Sequence, residues 1–155
     1  HAMDRSIAHW RKNAETTPPD ARMAAIVRDY LTPAHRDDPG YGCAIAALGA
    51  EIAREGAKAR RVFGAKLEEM VEVLAAQVEA ASDETARRAA IATLALMTGA
   101  LVLARAAGNA AFSSEILDVA RDRALADTTA VPKPAPRRHA AKEPAAKKPR
   151  REAKS

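Results

Sequence analysis

Aromatic residues are scarce in this chain of 155 residues: one Trp, two Tyr and two Phe. A core must therefore be built from Ala, Leu, Ile, Val and Met. A single cysteine excludes an internal disulfide and suits a reducing compartment. No stretch alternates β-branched with polar residues, so sheet has no support. The longest apolar run, residues 89 to 104, is shorter than the ~18 residues expected of a membrane span. No secretory signal is read at the start, and His1-Ala2-Met3 reads as a cloning remnant set aside from the fold. The expected location is cytoplasmic, with no membrane partner.

Helix-forming residues dominate what is there. The net charge of +5 is unevenly placed, because residues 131 to 155 carry nine Lys/Arg against two Glu and residues 1 to 130 come to −2. The acidic part is the expected body, residues 4–126. The Ala/Pro/Lys/Arg-rich stretch 127–155 is the expected disordered tail, since its prolines and lack of large apolar residues oppose a stable helix. The fold class read from this is all-α, an antiparallel bundle of about six helices.

Periodicity places the helices. Ile7, Trp10 and Ala14 mark a first one over 4–14. Thr17 and Pro18 form a start signal for a second, whose inner face is Met23, Ile26, Val27, Tyr30 and Leu31. Thr32-Pro33 ends it, and residues 33–42 read as a loop with Asp37, Asp38, Pro39, Gly40 and Gly42 as turn residues. A short alanine-rich helix follows, read as an inner element with Ile45, Leu48 and Ile52 on its stripe and closed by Gly56. A long helix over 57–80 carries Phe63, Leu67, Met70, Leu74 and Val78. Ser82 caps the next, over 83–107, whose apolar residues point nearly all round it. In so small a chain that pattern implies a partner subunit. Gly108-Asn109 stops it. Phe112 and Leu117 are placed for a hydrophobic staple on the last helix, expected to fray near Asp127.

The wording from Leu31 through Thr32-Pro33-Ala34-His35-Arg36-Asp37-Asp38-Pro39-Gly40-Tyr41-Gly42 to Cys43, and Ala46-Ala47-Leu48-Gly49-Ala50-Glu51, carry a resemblance together with this helix order. The body resembles the C-terminal regulatory domain of TetR/AcrR-family transcriptional regulators. Asp4-Arg5-Ser6-Ile7 looks like the helix joining the DNA-binding head to that domain, and Thr98 to Ala106 and Ser114 to Leu117 look like its last two helices. The resemblance implies a ligand-responsive regulator, a repressor acting on operator DNA through an N-terminal helix-turn-helix head that is not read in this sequence. It implies a homodimer and a small apolar effector.

Candidate sites follow. The effector pocket is placed among Tyr30, Cys43, Leu48, Phe63, Leu67, Met70, Leu94, Met97 and Thr98, with Tyr30, Cys43 and Thr98 as polar anchors; the plain alternative is packed core. The dimer interface is placed at Leu101, Val102, Arg105, Phe112, Ile116, Leu117 and Ala120. Cys43, at a helix start, reads either as an oxidant or electrophile sensor, with Arg36 able to fold over it, or as a small buried hydrophobe. His35, Asp37 and Asp38 lack the partners of a metal site, and no cofactor is expected. No catalytic constellation is found, so an enzyme is not expected. Lys133, Arg137, Arg138, Lys147, Lys148, Arg150 and Arg151 offer weak, salt-sensitive, non-specific DNA contact or only a solubilising tail. A thiol-sensing regulator and a helical scaffold acting through its basic tail are the alternatives.

Overall fold

The computed structural model describes residues 2–38 and 43–130. The expectations for Pro39 to Gly42 and for the tail cations from Lys133 to Lys154 lie outside the described residues. Those described form seven α-helices and one 3₁₀ turn, with no strand among them.

Helix α1 (Ala2–Thr16) lays Ile7 and Trp10 into the core. Met3, one turn earlier on the same stripe, is buried with them, so the helix and its core face begin before Asp4. Ion pairs Lys66–Asp4 at 2.7 Å and Arg11–Glu69 at 3.4 Å tie α1 to α5 (Ala57–Ala75).

The start of the second helix differs from expectation. Thr17 makes no side-chain cap; Pro18 sits in extended backbone and a 3₁₀ turn, Pro19–Ala21, comes first. Pro18 and Pro19 have no N–H, which leaves Asp20 as the single donor a Thr17 cap could reach. The Thr17 carbonyl instead accepts a bond from Arg22 Nε at 3.0 Å. Helix α2 (Arg22–Tyr30) then buries Met23, Ile26, Val27 and Tyr30, as its stripe predicts.

The expected loop after Thr32 contains another helix, α3 (Pro33–Asp37). Thr32 Oγ1 accepts the His35 N–H at 3.2 Å and Pro33 occupies the first turn, a capping pair that serves a start as well as a stop. Helix α4 (Ala44–Ile52) contains no buried residue, and Leu48 is 44 % exposed. It is a covering wall and not the inner helix its composition suggests, because alanine side chains are too short to anchor it deeply.

Helix α5 stops at Ala75, five residues before the expected end. The Gln77 side chain donates Nε2–H to the Val73 carbonyl at 2.9 Å, taking the place of the next helical N–H. Ser82 caps α6 (Asp83–Ala106) as expected, its Oγ accepting the Thr85 N–H at 3.2 Å. This helix is long and apolar enough to cross a membrane by length and composition alone, which corrects the reading from its uninterrupted run. Its packing accounts for that composition: Ala90, Leu94, Met97 and Leu101 form the centre of the core, against α4, α5 and α7 (Ala110–Ala130). Each large apolar side chain fully buried there contributes roughly 1.5–3 kcal/mol.

Gly108, with φ +30°, ends α6 in a conformation other residues rarely adopt. Asn109, not Phe112, opens α7: its Oδ1 accepts the Phe112 N–H at 3.0 Å. Phe112 and Leu117 both lie inside that helix, five residues apart, so they form no staple across its start. Helix α7 continues past Asp127 to Ala130.

Candidate functional site

The end of α2, the start of α4 and the middle of α6 meet around three polar side chains. Cys43 is 1 % exposed and precedes α4 without a side-chain cap bond. The Tyr30 phenol is buried beside it, with Thr98 of α6 on its other flank. Neither Tyr30 Oη nor Thr98 Oγ1 makes a hydrogen bond of ordinary length among the described residues; the polar neighbours of the phenol are Thr98 and Cys43 themselves. Burial pushes the Tyr30 phenol well above its ordinary range; neighbouring Cys43 adds to the shift, while Thr98 and Arg105 oppose it. The three anchor residues suggested by the sequence are thus brought together.

The rest of the expected pocket divides. Met70, Leu94 and Met97 are fully buried core, and Phe63 and Leu67 pack half-buried against it. Leu48 faces outward.

His35 positions this cluster. Its Nδ1 lies 2.8 Å from the Tyr30 carbonyl and its Nε2 accepts the Cys43 backbone N–H at 3.1 Å. Its ring also meets the Tyr30 ring edge-on, with centroids 4.4 Å apart. Both nitrogens are therefore used in structural bonds. Among the described residues no group of three His, Cys, Asp or Glu side chains is arranged for a metal ion. Arg36 does not fold over Cys43. It pairs with Asp37 at 2.6 Å and donates to Ser113 Oγ at 3.1 Å, and Ser113 donates to the Ala104 carbonyl at 2.6 Å. The Asp37 carboxyl is held below its ordinary range by that guanidinium.

Two arginines complete the frame. Arg105 donates to the carbonyls of His35 at 2.9 Å and Arg36 at 3.0 Å, and Arg121 donates to the Leu31 carbonyl at 3.0 Å. These are last-turn carbonyls of short helices, which lack intrahelical partners. Arg105, expected at a subunit interface, is instead turned inward onto α3. The sequence pattern does not point to these roles for His35, Ser113 and Arg121, whose one signal is a polar residue on an otherwise apolar helix face.

The opposite face of α6 is open. Leu103 is 60 % exposed, Phe112 56 % and Val119 62 %, and with Leu96 and Ile116 they line an apolar groove of about 480 Å³ between α6 and α7. Phe112, Ile116 and Ala120 of the expected interface belong to this groove, and Val102 is exposed elsewhere on α6. Leu101 and Leu117 do not reach the surface: they are fully buried in the core. Leu96, Leu103 and Val119 were not among the expected interface residues.

No curated protein sequence matches the chain. Residues 19–121, from the 3₁₀ turn to the middle of α7, match the C-terminal domain of LmrA/YxaF-like transcriptional regulators. That span covers most of the chain and nearly all the helical core, and on it the chain belongs to the TetR family of transcriptional regulators, as an LmrA/YxaF-like C-terminal domain.

Proposed function

We propose that this domain is the effector-binding and dimerising part of a ligand-responsive TetR-type repressor. The observation that carries the reading is the pair of buried hydroxyls of Tyr30 and Thr98 beneath α4, neither in a hydrogen bond of ordinary length. Buried polar groups without partners are uncommon in packed cores and mark places where an incoming group has something to bind. Helix α4 has no buried residue, so lifting it away from α6 uncovers the cluster at small cost in apolar burial. A small apolar molecule carrying one or two hydrogen-bonding groups is the effector this arrangement suits. Helix α4 packs on α1 as well as on α6, which gives its displacement a route to the first helix. In a dimer, a shift of α1 would respace two N-terminal heads against the half-sites of an operator.

The exposed α6–α7 face supports a homodimer built as a four-helix bundle with a second copy of the chain. The buried thiol supports packing more than sensing, since reactive cysteines sit in partly exposed, electropositive surroundings. Thermal-shift screening with small aryl and alkyl compounds tests the effector reading. Stabilising compounds should weaken in Tyr30→Phe and in Thr98→Val. Compounds that stabilise both variants as much as the wild type bind elsewhere and would sink the assignment.

A further inference from the structure

Helix α3 contains no buried residue, so polar bonds hold it in place. The groups that fasten it come from the end of α6 and the start of α7. Arg105 spans two successive carbonyls, its Nη2 donating to His35 at 2.9 Å and its Nε to Arg36 at 3.0 Å. Arg36 returns a bond to Ser113 Oγ at 3.1 Å, and that hydroxyl is itself fixed on the Ala104 carbonyl at 2.6 Å.

His35 belongs to two sets of bonds at once. Its carbonyl is tied to α6 by Arg105, while its ring joins the Tyr30 carbonyl to the Cys43 N–H. A displacement of the last turn of α6 therefore reaches the start of α4 through two side chains, Arg105 and His35. The anchoring residues alternate with exposed ones along the same turns. Leu103 precedes Arg105 by two positions and Phe112 adjoins Ser113, and both are more than half exposed on the open α6–α7 face. Whatever covers Leu103 and Phe112 fixes the turns from which Arg105 and Ser113 reach α3.

We propose that Arg105 is a positioning residue that couples the subunit interface to the cluster of Tyr30, Cys43 and Thr98. The coupling rests on the homodimer reading, with a second copy of the chain seated on Leu103 and Phe112. The seated copy restrains the α6–α7 corner, Arg105 carries that restraint into α3, and His35 sets it on the backbone of Cys43. The planar fork of arginine suits this role, since the point charge of lysine cannot hold two carbonyls in line. Such a coupling is reciprocal: a molecule that lifts α4 also shifts the subunit equilibrium.

Amide hydrogen exchange, followed residue by residue on isotope-labelled protein, tests the coupling. The Cys43 N–H reports the link to His35, and the N–H of fully buried Met97, in the middle of α6, reports global opening. Leu103→Glu, once monomeric, should speed exchange at Cys43 about tenfold more than at Met97, within the usual coupling range for one hydrogen-bond network. Arg105→Met keeps the aliphatic stem but removes the donors, and should give a similar factor in a chain that stays dimeric. In the double variant the two effects should not add, because the link is already cut. Full additivity, acceleration at Cys43 no greater than at Met97, or a Leu103→Glu monomer with wild-type exchange at Cys43 would each overturn the coupling and leave the dimer in place. A wild-type chain that sediments as a monomer removes the dimer and the coupling together.

Discussion

His35 Nε2 accepts a hydrogen bond from the backbone N–H of Cys43 at 3.1 Å. That amide can only donate, so the imidazole proton resides on Nδ1, which gives it to the Tyr30 carbonyl at 2.8 Å. One neutral tautomer thereby joins the end of α2 to the start of α4. His35→Ala leaves a backbone donor and acceptor unpaired in partly buried surroundings, and the expected cost is about 1–3 kcal/mol in urea unfolding. A loss well below that range would mean that water replaces the ring.

The two faces of α6 and α7 should respond in opposite ways. Leu103→Glu or Phe112→Glu alters only exposed positions, so sedimentation should show a monomer while the far-ultraviolet circular dichroism stays unchanged. Leu117→Ala empties a fully buried site and should cost about 2–5 kcal/mol of stability. A monomeric wild-type chain at micromolar concentration would remove the dimer proposal altogether.

Cys43, almost fully buried, should react with a soluble disulfide reagent far more slowly in the native protein than in urea. Native labelling as fast as in denaturant would revive the sensing role. Cys43→Ser then provides the check, since an electrophile response that survives it cannot pass through this thiol.

The raised Tyr30 phenol sets an alkaline limit. The folded state holds its proton above the ordinary value of 10.0, so it binds more protons than the unfolded chain once pH passes that value. Stability from this group is complete below pH 10 and declines as pH rises beyond it. Tyr30→Phe should flatten that alkaline decline in urea midpoints, and its stability at neutral pH should match or exceed wild type, because the hydroxyl removed makes no hydrogen bond of ordinary length.

At the acid end, Lys66 beside Asp4 holds that carboxyl down at about 2, against an ordinary 3.8. The sign is reversed: its contribution is present above 3.8 and is lost as pH falls through about 2. Lys66→Met should flatten the acid limb of stability across that window. The effect should be modest and salt-sensitive, because both side chains are half exposed.

Much of the fold was legible because helical periodicity is local. The stripe from Met23 to Leu31, the Ser82 cap and the Gly108 stop need only neighbouring residues to specify them, and each stands where the pattern predicts. Helix ends set by a side chain reaching back, as Gln77 does to Val73, were missed because glutamine at that spacing has no distinctive signature. Thr32-Pro33 reads as a stop and is also a start, since both uses need the same residues.

The sequence by itself determined an all-α TetR-type domain and its apolar stripes; that Tyr30, Cys43 and Thr98 lie side by side is a fact of the fold. Only the tertiary structure decided which apolar residues are core and which are surface. Leu101 and Leu103 are two positions apart on one helix, about 200° around its axis, so one is enclosed and the other faces outward. Composition cannot separate them, because hydrophobicity says that a side chain avoids water and not whether its own chain or another copy covers it. The same holds for Arg105 and His35: their roles depend on which unpaired backbone groups the folded chain brings within reach.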